Sequence, residues 1–272
     1  MSKNTSSGKD LIHYAMLRNL PDISLMFLLY NKLWREGTFP AMWKIGTIIP
    51  FPKPGKDLSN PINYRPIALT SCTCKLMERM VNLRLVWNLE KNNIIHENQY
   101  GFRRCRSTTD VLVKIDSYIK RAFAMKEHVV AVFFDIQKAY DTTWKYKIIK
   151  ELKTAGFIGS LTKFISNFLS NRQMKVKVGD QYSDSFTQFE GVPQGSVLSC
   201  TLFALAMNDL PANMPQYVET SLYVDDFAVF ARSSSLASAD RRVQLAVNRA
   251  KKWADESGFV FSSGKTLSLI HI

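Results

Sequence analysis

Three aspartates occupy positions where carboxylates often form an active site. Asp135 follows the apolar run from Val129 to Phe134, which is typical of a strand buried on both faces. Asp225 and Asp226 separate two short strand-like segments, so we expect them at the tip of a tight hairpin. Grouped carboxylates repel one another and stay ionised near neutral pH chiefly when a cation neutralises them. The predicted cation is Mg²⁺, and two such ions about 3.5–4 Å apart could activate a hydroxyl and stabilise a pyrophosphate leaving group.

Each of these aspartates also has an ordinary structural interpretation. Asp is a common turn residue, so Asp225 and Asp226 could form a solvated turn, and Asp135 could be a capping acid. An Asp-Asp pair is expected about 0.7 times by chance in a chain of this composition. Requiring a tyrosine two positions earlier, as Tyr223 provides, lowers that expectation to about 0.03. The pair is therefore informative only together with other motifs.

The composition predicts a globular, strongly basic protein. The chain has 272 residues with 36 Lys+Arg against 23 Asp+Glu, a formal net charge of +13, and 46% hydrophobic residues. These values exclude a disordered, collagen-like or coiled-coil chain. The sequence contains no run of 18 apolar residues, so no membrane span is predicted. The four cysteines include no C-x-x-C pair, so neither a zinc site nor a disulfide framework is favoured. The basic excess is concentrated in residues 1–136, where a polyanion would bind, although such charge can also serve solubility alone.

Hydrophobic periodicity predicts helices and strands in irregular alternation, which favours the α+β class over a doubly wound sheet. A basic hairpin is expected around residues 45–56, where a Pro-Gly turn follows an apolar β-rich segment. The helices expected to frame the aspartates cover residues 72–91, 108–125, 145–155, 161–169, 196–209 and 236–257. The expected strands cover residues 129–134, 174–178, 185–189, 220–224 and 227–231, and a final strand is expected to begin at residues 259–261.

The ordered motifs resemble those of a known family. The sequence reads DIQKAYD at 135–141, GVPQGS at 191–196 and YVDD at 223–226, and Gly258 is followed by Lys265. In this order and spacing the segments resemble motifs A, B, C and D of the reverse transcriptase palm. Upstream, IPFPKPGKD at 49–57, NYRPIAL at 63–69 and QYGFR at 99–103 resemble the fingers of non-LTR (LINE) retrotransposon reverse transcriptases, with the jockey-like elements of arthropods as the nearest group.

The resemblance implies a right-hand polymerase fold with fingers and an antiparallel palm sheet. Residues 1–130 would form an N-terminal helical extension and the fingers. Residues 131–272 would form the palm, with a fingers insertion near 146–185. Because the sequence stops shortly after motif D, we expect the thumb to be absent and the chain to be a fragment of a longer polyprotein.

The resemblance also assigns roles around the metal ions. Asp135 and Asp225 would be the principal metal ligands, with Asp226 as a third member of the carboxylate cluster and the backbone carbonyl of Ile136 completing one coordination shell. Lys265 would protonate the leaving pyrophosphate as a general acid. Two Mg²⁺ ions are expected, with Mn²⁺ as a possible substitute.

Further residues would contact the nucleotide. Lys53 and Arg65 would grip the triphosphate, and the ring of Tyr140 would block a ribose 2′-OH. Gln194 and Gly195 would lie against the nascent base pair, where a small residue lets the backbone approach closely. Taken singly, Tyr140 would be an ordinary core residue, and Lys53 and Arg65 would be solvated surface charges. The GVPQG loop could be a plain turn, but its place before an apolar helix favours the functional role.

The predicted reaction is RNA-templated addition of deoxynucleotides to a DNA 3′-OH, so the expected partners are an RNA template, a DNA primer and dNTPs, with no membrane. Arg103, Arg104 and Arg106 would suit the template backbone, and a plain basic loop explains them as well. Two alternatives stay open: a catalytically inactive nucleic-acid-binding remnant of a decayed retroelement, and a maturase of the group II intron type. The family alone implies a nuclear location, and the oligomeric state is not predicted.

Overall fold

The computed structural model describes residues 6–271, in which helices and strands alternate irregularly, as predicted for an α+β protein. The helices are α1 (Tyr14–Arg18), α2 (Ser24–Glu36), α3 (Cys72–Lys91), α4 (Thr108–Ala124), α5 (Ala139–Thr142), α6 (Lys145–Thr154), α7 (Ser160–Leu169), α8 (Val197–Ala206) and α9 (Leu236–Ser257). The strands are β1 (Ile45–Pro52), β2 (Tyr64–Leu69), β3 (His128–Phe134), β4 (Arg172–Val178), β5 (Gln181–Tyr182), β6 (Phe186–Gln188), β7 (Glu219–Tyr223), β8 (Asp226–Ser233) and β9 (Leu267–His271). Short 3₁₀ helices cover Ala41–Lys44, Pro61–Asn63 and Pro211–Asn213.

The chain forms two compact units, and each is built from two separate stretches of sequence. The first unit comprises residues 1–88 and 148–201, and the second comprises residues 89–147 and 202–272. No helix within residues 6–271 combines the length and apolar character required to cross a membrane.

The first unit contains a five-stranded mixed sheet in which β1 is central. The strand β1 pairs antiparallel with β2, from Thr47 opposite Leu69 to Pro52 opposite Tyr64, and this pairing confirms the predicted hairpin. On its other side β1 pairs in parallel with β4, which in turn pairs with β5 and β6. An aromatic core that includes Phe39, Trp43 and Phe164 packs edge to face, with ring centroids 5.5–5.6 Å apart.

The second unit is built on a four-stranded antiparallel sheet in the order β7-β8-β3-β9. The helix α9 packs against β8 and β3, and its buried positions Val243, Ala246 and Ala250 repeat at helical spacing. The helix α4 begins at a capping box formed by Ser107 and Asp110. Its residue Tyr118 packs edge to face on Phe230 of β8 at 4.9 Å. The two helices thus cover the strands that carry the aspartates.

The predicted strand at residues 259–261 is wrong. The side chains of the two phenylalanines pack against neighbouring rings. Phe259 is buried and stacks on Trp253 at 5.4 Å, and Phe261 packs on Phe134 at 4.8 Å. The backbone forms an isolated bridge between Ile136 and Phe261 rather than a strand. A turn at residues 262–266 follows, and β9 supplies the edge strand beside β3. The short apolar run indicated burial, and burial alone does not distinguish a strand from a packed loop.

Candidate active site

The three predicted aspartates meet at one end of the antiparallel sheet of the second unit. The ladder between β3 and β8 ends with Phe134 opposite Phe227, so the next residues, Asp135 and Asp226, follow it as cross-strand neighbours. Asp225 lies one residue further along, in the turn between β7 and β8. Cross-strand neighbours have Cβ atoms about 4.5–5.5 Å apart, which is close enough for strong electrostatic interaction.

Lys265 approaches the same carboxylates from the opposite side of β3. Extending the register between β3 and β9, in which Phe133 faces Leu267, places Lys265 beside Asp135. Its ammonium nitrogen lies 3.1 Å from Oδ1 and 3.0 Å from Oδ2 of Asp135. The backbone holds the loop in place, because the amide of Ser262 donates to the carbonyl of Asp135 at 2.7 Å. The fourth predicted catalytic residue is therefore in contact with the first.

The carboxylate cluster carries more negative charge than Lys265 alone neutralises. Burial raises the pKa of Asp225, and the charges of Asp226 and Asp135 raise it further, while Lys265 lowers it. Partial burial and the charge of Asp135 raise the pKa of Asp226 in the same way. A shift in this direction shows that both aspartates are destabilised as anions. A positively charged ligand at this end of the sheet would relieve that destabilisation.

The turn that carries Asp225 has an unusual backbone. Val224 has a φ of +63°, a conformation that costs a β-branched residue about 1–3 kcal/mol. Gly101 lies directly against this turn: a Cβ added to it would come within 2.7 Å of Cγ2 and 3.0 Å of Cα of Val224, and closer still to its amide nitrogen. Only a residue without a side chain leaves room for Val224 at this position.

The backbone of the segment containing Gly101 also forms hydrogen bonds with β7, the strand that leads into the turn of Asp225. The amide of Leu222 donates to the carbonyl of Asn98, and the amide of Tyr100 donates to the carbonyl of Leu222, each at 2.8 Å. Gln99 is fully buried, and its Oε1 accepts the amide of Gly101 at 2.9 Å. The QYGFR motif was noted in the sequence, but its position behind the aspartate hairpin is a long-range contact that no local pattern shows.

Tyr140 follows the Asp135 strand on the short helix α5. Its ring stacks on Phe203 of α8, with centroids 5.0 Å apart and planes 12° from parallel. Phe203 is itself fully buried and packs on Phe259. The tyrosine ring is thus held from one side by a core residue that sequence analysis did not single out.

The carboxylates are hard oxygen donors of the kind that divalent cations prefer. Among residues 6–271, no three His, Cys, Asp or Glu side chains converge tightly enough to form a metal site as they stand. The salt bridge to Lys265 engages both oxygens of Asp135. A cation at this cluster would therefore compete with the ammonium of Lys265 for the same oxygens.

The first unit contains the predicted nucleotide-contact loop. The carbonyl of Gln194 accepts the amide of Ala68 in β2 at 2.6 Å. Gly195 has a φ of +116°, and a Cβ added to it would lie 2.6 Å from the carbonyl oxygen of Ala68. Glycine is needed here both for the backbone conformation and for the close approach to β2. The close approach predicted from the sequence was to the nascent base pair, and that contact stays a prediction.

The residue before α8 is Ser196, and serine is a favoured helix cap. Its hydroxyl instead donates to the carboxylate of Glu78 in α3. The same carboxylate accepts the amides of Val197 and Leu198, at 2.7 Å and 3.2 Å. A side chain 118 residues away along the chain therefore performs the capping, and the short-range capping rule could not identify it.

The remaining basic candidates differ in how many contacts they make within the protein. Arg65 is exposed on β2 of the hairpin, where it lies opposite Phe51. Lys53 follows β1, and its ammonium donates to the carbonyl of Ile62 at 2.9 Å. Arg103 is used within the protein, because it forms a bidentate ion pair with Glu90 at 2.6 Å and 2.8 Å. This ion pair gives Arg103 a structural role, and its role at a template backbone stays a prediction.

Comparison with known proteins connects this geometry to a family. The model of the family described as reverse transcriptase (RNA-dependent DNA polymerase) matches residues 51–270. The chain is 33% identical over 256 residues to the probable RNA-directed DNA polymerase from transposon BS of Drosophila melanogaster. It is also 33% identical over 257 residues to the RNA-directed DNA polymerase from the mobile element jockey of the same species. Each alignment covers 91% of this chain and 28% of the relative, so the chain spans less than a third of the length of these relatives.

Solved structures share the fold at much lower identity. A structure of telomerase from Candida tropicalis in complex with a fragment of telomeric RNA aligns over 97% of this chain and 47% of that chain, with a TM-score of 0.60 and 14% identity. A structure of apo telomerase from the same organism aligns over 95% of this chain and 50% of its own, with a TM-score of 0.62 and 12% identity. The α+β polymerase fold, the ordered motifs and the family match agree, and the chain belongs to the reverse transcriptase family, with similarity to the polymerases of jockey-like non-LTR retrotransposons.

Proposed function

We propose that this domain catalyses RNA-templated DNA synthesis, in which a DNA 3′-OH attacks a dNTP and pyrophosphate leaves. The observation that carries the proposal is the cluster of Asp135, Asp225 and Asp226 at one end of an antiparallel sheet, with Lys265 in contact. An excess of negative charge at the end of a sheet serves no evident purpose in folding. It has a clear purpose where cations and a triphosphate must be brought together.

The proposed cofactor is a pair of Mg²⁺ ions, for which Mn²⁺ could substitute. Asp135, Asp225 and Asp226 and the carbonyl of Ile136 would hold them, and the raised pKa values of Asp225 and Asp226 fit this set because a cation would offset the repulsion. When bound, such ions lower the pKa of the attacking hydroxyl and neutralise charge on the phosphates. The backbone beside Ile136 is fixed by the bond from the amide of Gln137 to the carbonyl of Val260, at 2.8 Å.

Lys265 has a proposed role as the acid that protonates the leaving pyrophosphate. The ammonium already lies among the carboxylates, at 3.0 Å from Asp135. Its side chain is 68% exposed, so it can leave Asp135 without disturbing packed residues. An ammonium released from the carboxylate would have a proton available at Nζ for a phosphate oxygen.

Tyr140 has a proposed role in choosing the sugar. Stacking on Phe203 limits movement of its ring away from the site. A rigid ring next to the sugar would clash with a ribose 2′-OH, whereas a mobile ring would move aside. The proposal is therefore that Phe203 supports discrimination against ribonucleotides.

Four further residues have proposed nucleotide contacts. Gln194 and Gly195 would contact the nascent base pair, and Lys53 and Arg65 would bind the triphosphate. The bond from Lys53 to the carbonyl of Ile62 uses one of its three ammonium hydrogens, and a phosphate could engage the others. Arg65 would supply a bidentate contact.

The finer architecture is part of the same proposal. Residues 1–130 would be an N-terminal extension and fingers, and residues 131–272 a palm with a fingers insertion near 146–185. The four-stranded sheet of the second unit would be the palm sheet.

The proposed partners are an RNA template, a DNA primer and dNTPs. The net charge of +13 supports a polyanionic partner. The relatives named above are RNA-directed DNA polymerases of mobile elements, and one structural neighbour is a telomerase in complex with RNA. Both kinds of protein support an RNA-dependent reaction for this chain.

The test is primer extension by the purified chain on poly(rA)/oligo(dT) with dTTP and Mg²⁺ at low salt. We expect products that disappear with EDTA and in Asp225→Asn, because the amide removes one negative charge from the cluster with little change of shape. Primer-template binding should persist in that variant. A folded protein that binds the primer-template but never extends it would refute the proposed activity, and would favour the inactive remnant.

A further inference from the structure

Glu78 is a buried carboxylate that the proposed chemistry does not use. It lies on α3, and its residue is 0% exposed. One oxygen accepts the hydroxyl of Ser196 and the amides of Val197 and Leu198, and the other accepts the thiol of Cys74 at 3.1 Å. Every polar contact of this side chain except the thiol is made with the first residues of α8 or the residue before them.

Two positive groups lie near the carboxylate of Glu78: the start of α8 and the guanidinium of Arg172. The amide groups that begin α8 carry the positive end of the helix dipole, which favours a carboxylate at this point. Arg172 supplies a second positive charge: burial lowers its pKa, and the charge of Glu78 raises it. The guanidinium of Arg172 is fixed by the carbonyls of Phe168 and Trp43, at 3.1 Å and 3.4 Å. The carboxylate of Glu78 therefore lies between the start of α8 and a guanidinium that is itself held in place.

The loop before α8 is held from a second direction by β2. Ala68 donates its amide to the carbonyl of Gln194, and its carbonyl lies against Gly195. Gln194 and Gly195, which are proposed to contact the nascent base pair, thus lie between β2 and Ser196, whose hydroxyl Glu78 binds. Moving the start of α8 would move this loop.

We propose that Glu78 is a positioning residue for nucleotide selection, which holds Gln194 and Gly195 in place through Ser196 and the first turn of α8. The inference rests on the proposed function, because it says that the contact between Glu78 and the start of α8 affects dNTP binding. The chemistry it would serve is recognition of a base-paired deoxynucleoside triphosphate.

The substitution Glu78→Gln tests this arrangement with little change of volume. The amide oxygen could still accept the three donors at the start of α8, and the NH₂ group would then face the sulfur of Cys74. The charge opposite Arg172 and the start of α8 is lost, so these hydrogen bonds lose the strength that an ionised acceptor gives them. We expect the KM for dTTP to rise about tenfold, as for loss of a charged hydrogen bond, and kcat to change by less than about threefold.

The matched control is Glu190→Gln. It makes the same chemical change at an exposed position just before the same loop. We expect this variant to keep the wild-type KM for dTTP, and both variants to keep the wild-type KM for poly(rA)/oligo(dT). Hydrogen exchange at the amides of Val197 and Leu198 should accelerate in Glu78→Gln alone.

The outcomes separate this inference from the proposed function. If the wild-type chain extends primers and Glu78→Gln exchanges faster at these amides with an unchanged KM for dTTP, Glu78 only stabilises the helix and the inference is wrong. If Glu78→Gln does not fold, Ser196→Ala removes a single bond and keeps the charge; an unchanged KM in that variant would overturn the inference as well. If the wild-type chain does not extend primers, the proposed function fails first and the positioning role fails with it.

Discussion

Gly101→Ala should impair catalysis by displacing the turn that carries Asp225. The φ of Gly101 lies outside the positive region, so alanine can adopt the same backbone, and the effect arises only from the added methyl group. That methyl would lie 2.7 Å from Cγ2 of Val224, whereas carbon atoms in contact prefer about 3.5–4.0 Å. One of the two segments must therefore move by about 1 Å.

The displacement predicts a large loss of rate at a modest cost in stability. A misplacement of about 1 Å at a catalytic group reduces turnover by about 100-fold. Overpacking costs about 1–3 kcal/mol, partly offset by about 0.4–1 kcal/mol because alanine restricts the unfolded chain. The variant should accordingly stay folded and should retain affinity for the primer-template, because the basic residues are unchanged.

The assay is steady-state primer extension on poly(rA)/oligo(dT), with thermal unfolding and primer-template affinity measured on the same preparations. The control is Gly264→Ala, in which the added methyl group meets nothing within 4 Å and the backbone φ is equally permissive. We expect the control to resemble the wild type. If Gly101→Ala retained kcat within about threefold of the wild type, a rigid contact between Gly101 and the aspartate turn would not be required for catalysis, and the reasoning would be refuted.

Three further changes test other parts of the structure. Tyr140→Ala should allow incorporation of rUTP opposite poly(rA), because it removes the ring stacked on Phe203. The control is Tyr146→Ala, at an exposed aromatic residue in the next helix, which should leave the ratio of dTTP to rUTP incorporation unchanged. Equal ratios in the two variants would contradict a role of Tyr140 in sugar selection. Lys265→Gln should lower the rate by about 100-fold or more, the usual scale for a lost general acid. It should also lower the Mg²⁺ concentration needed for half-maximal rate, because no ammonium then competes for Asp135, and a higher Mg²⁺ requirement would count against that competition. Asp209→Ala should reduce the free energy of unfolding by about 2–4 kcal/mol, because it removes the ion pair at 2.9 Å with the 8% exposed ammonium of Lys147 and the acceptor of the Trp253 indole at 2.8 Å. Urea unfolding would measure this last effect against Asp240→Ala, an exposed aspartate in α9, and equal midpoints would contradict it.

The elements that carry the aspartates could be read from the sequence because their patterns are local. Helices α3 and α9 have the predicted bounds, since apolar residues recur at helical spacing and Gly258 ends α9 in the left-handed conformation. The β7–β8 hairpin was predicted from two apolar runs around Asp225 and Asp226. The spacing of the four motifs likewise identified the family, because their order along the chain is itself the signal.

The contacts that hold the site were decided only by the tertiary structure. The strand β9 places Lys265 beside Asp135, whereas the sequence predicted a strand eight residues earlier, at 259–261. Gly101 makes room for Val224, and Glu78 binds the start of α8, yet each pair is separated by more than 100 residues. Periodicity and capping rules describe neighbours within a few residues along the chain. Which distant side chains meet depends instead on sheet register and on how buried polar groups find partners, and these are properties of the whole fold.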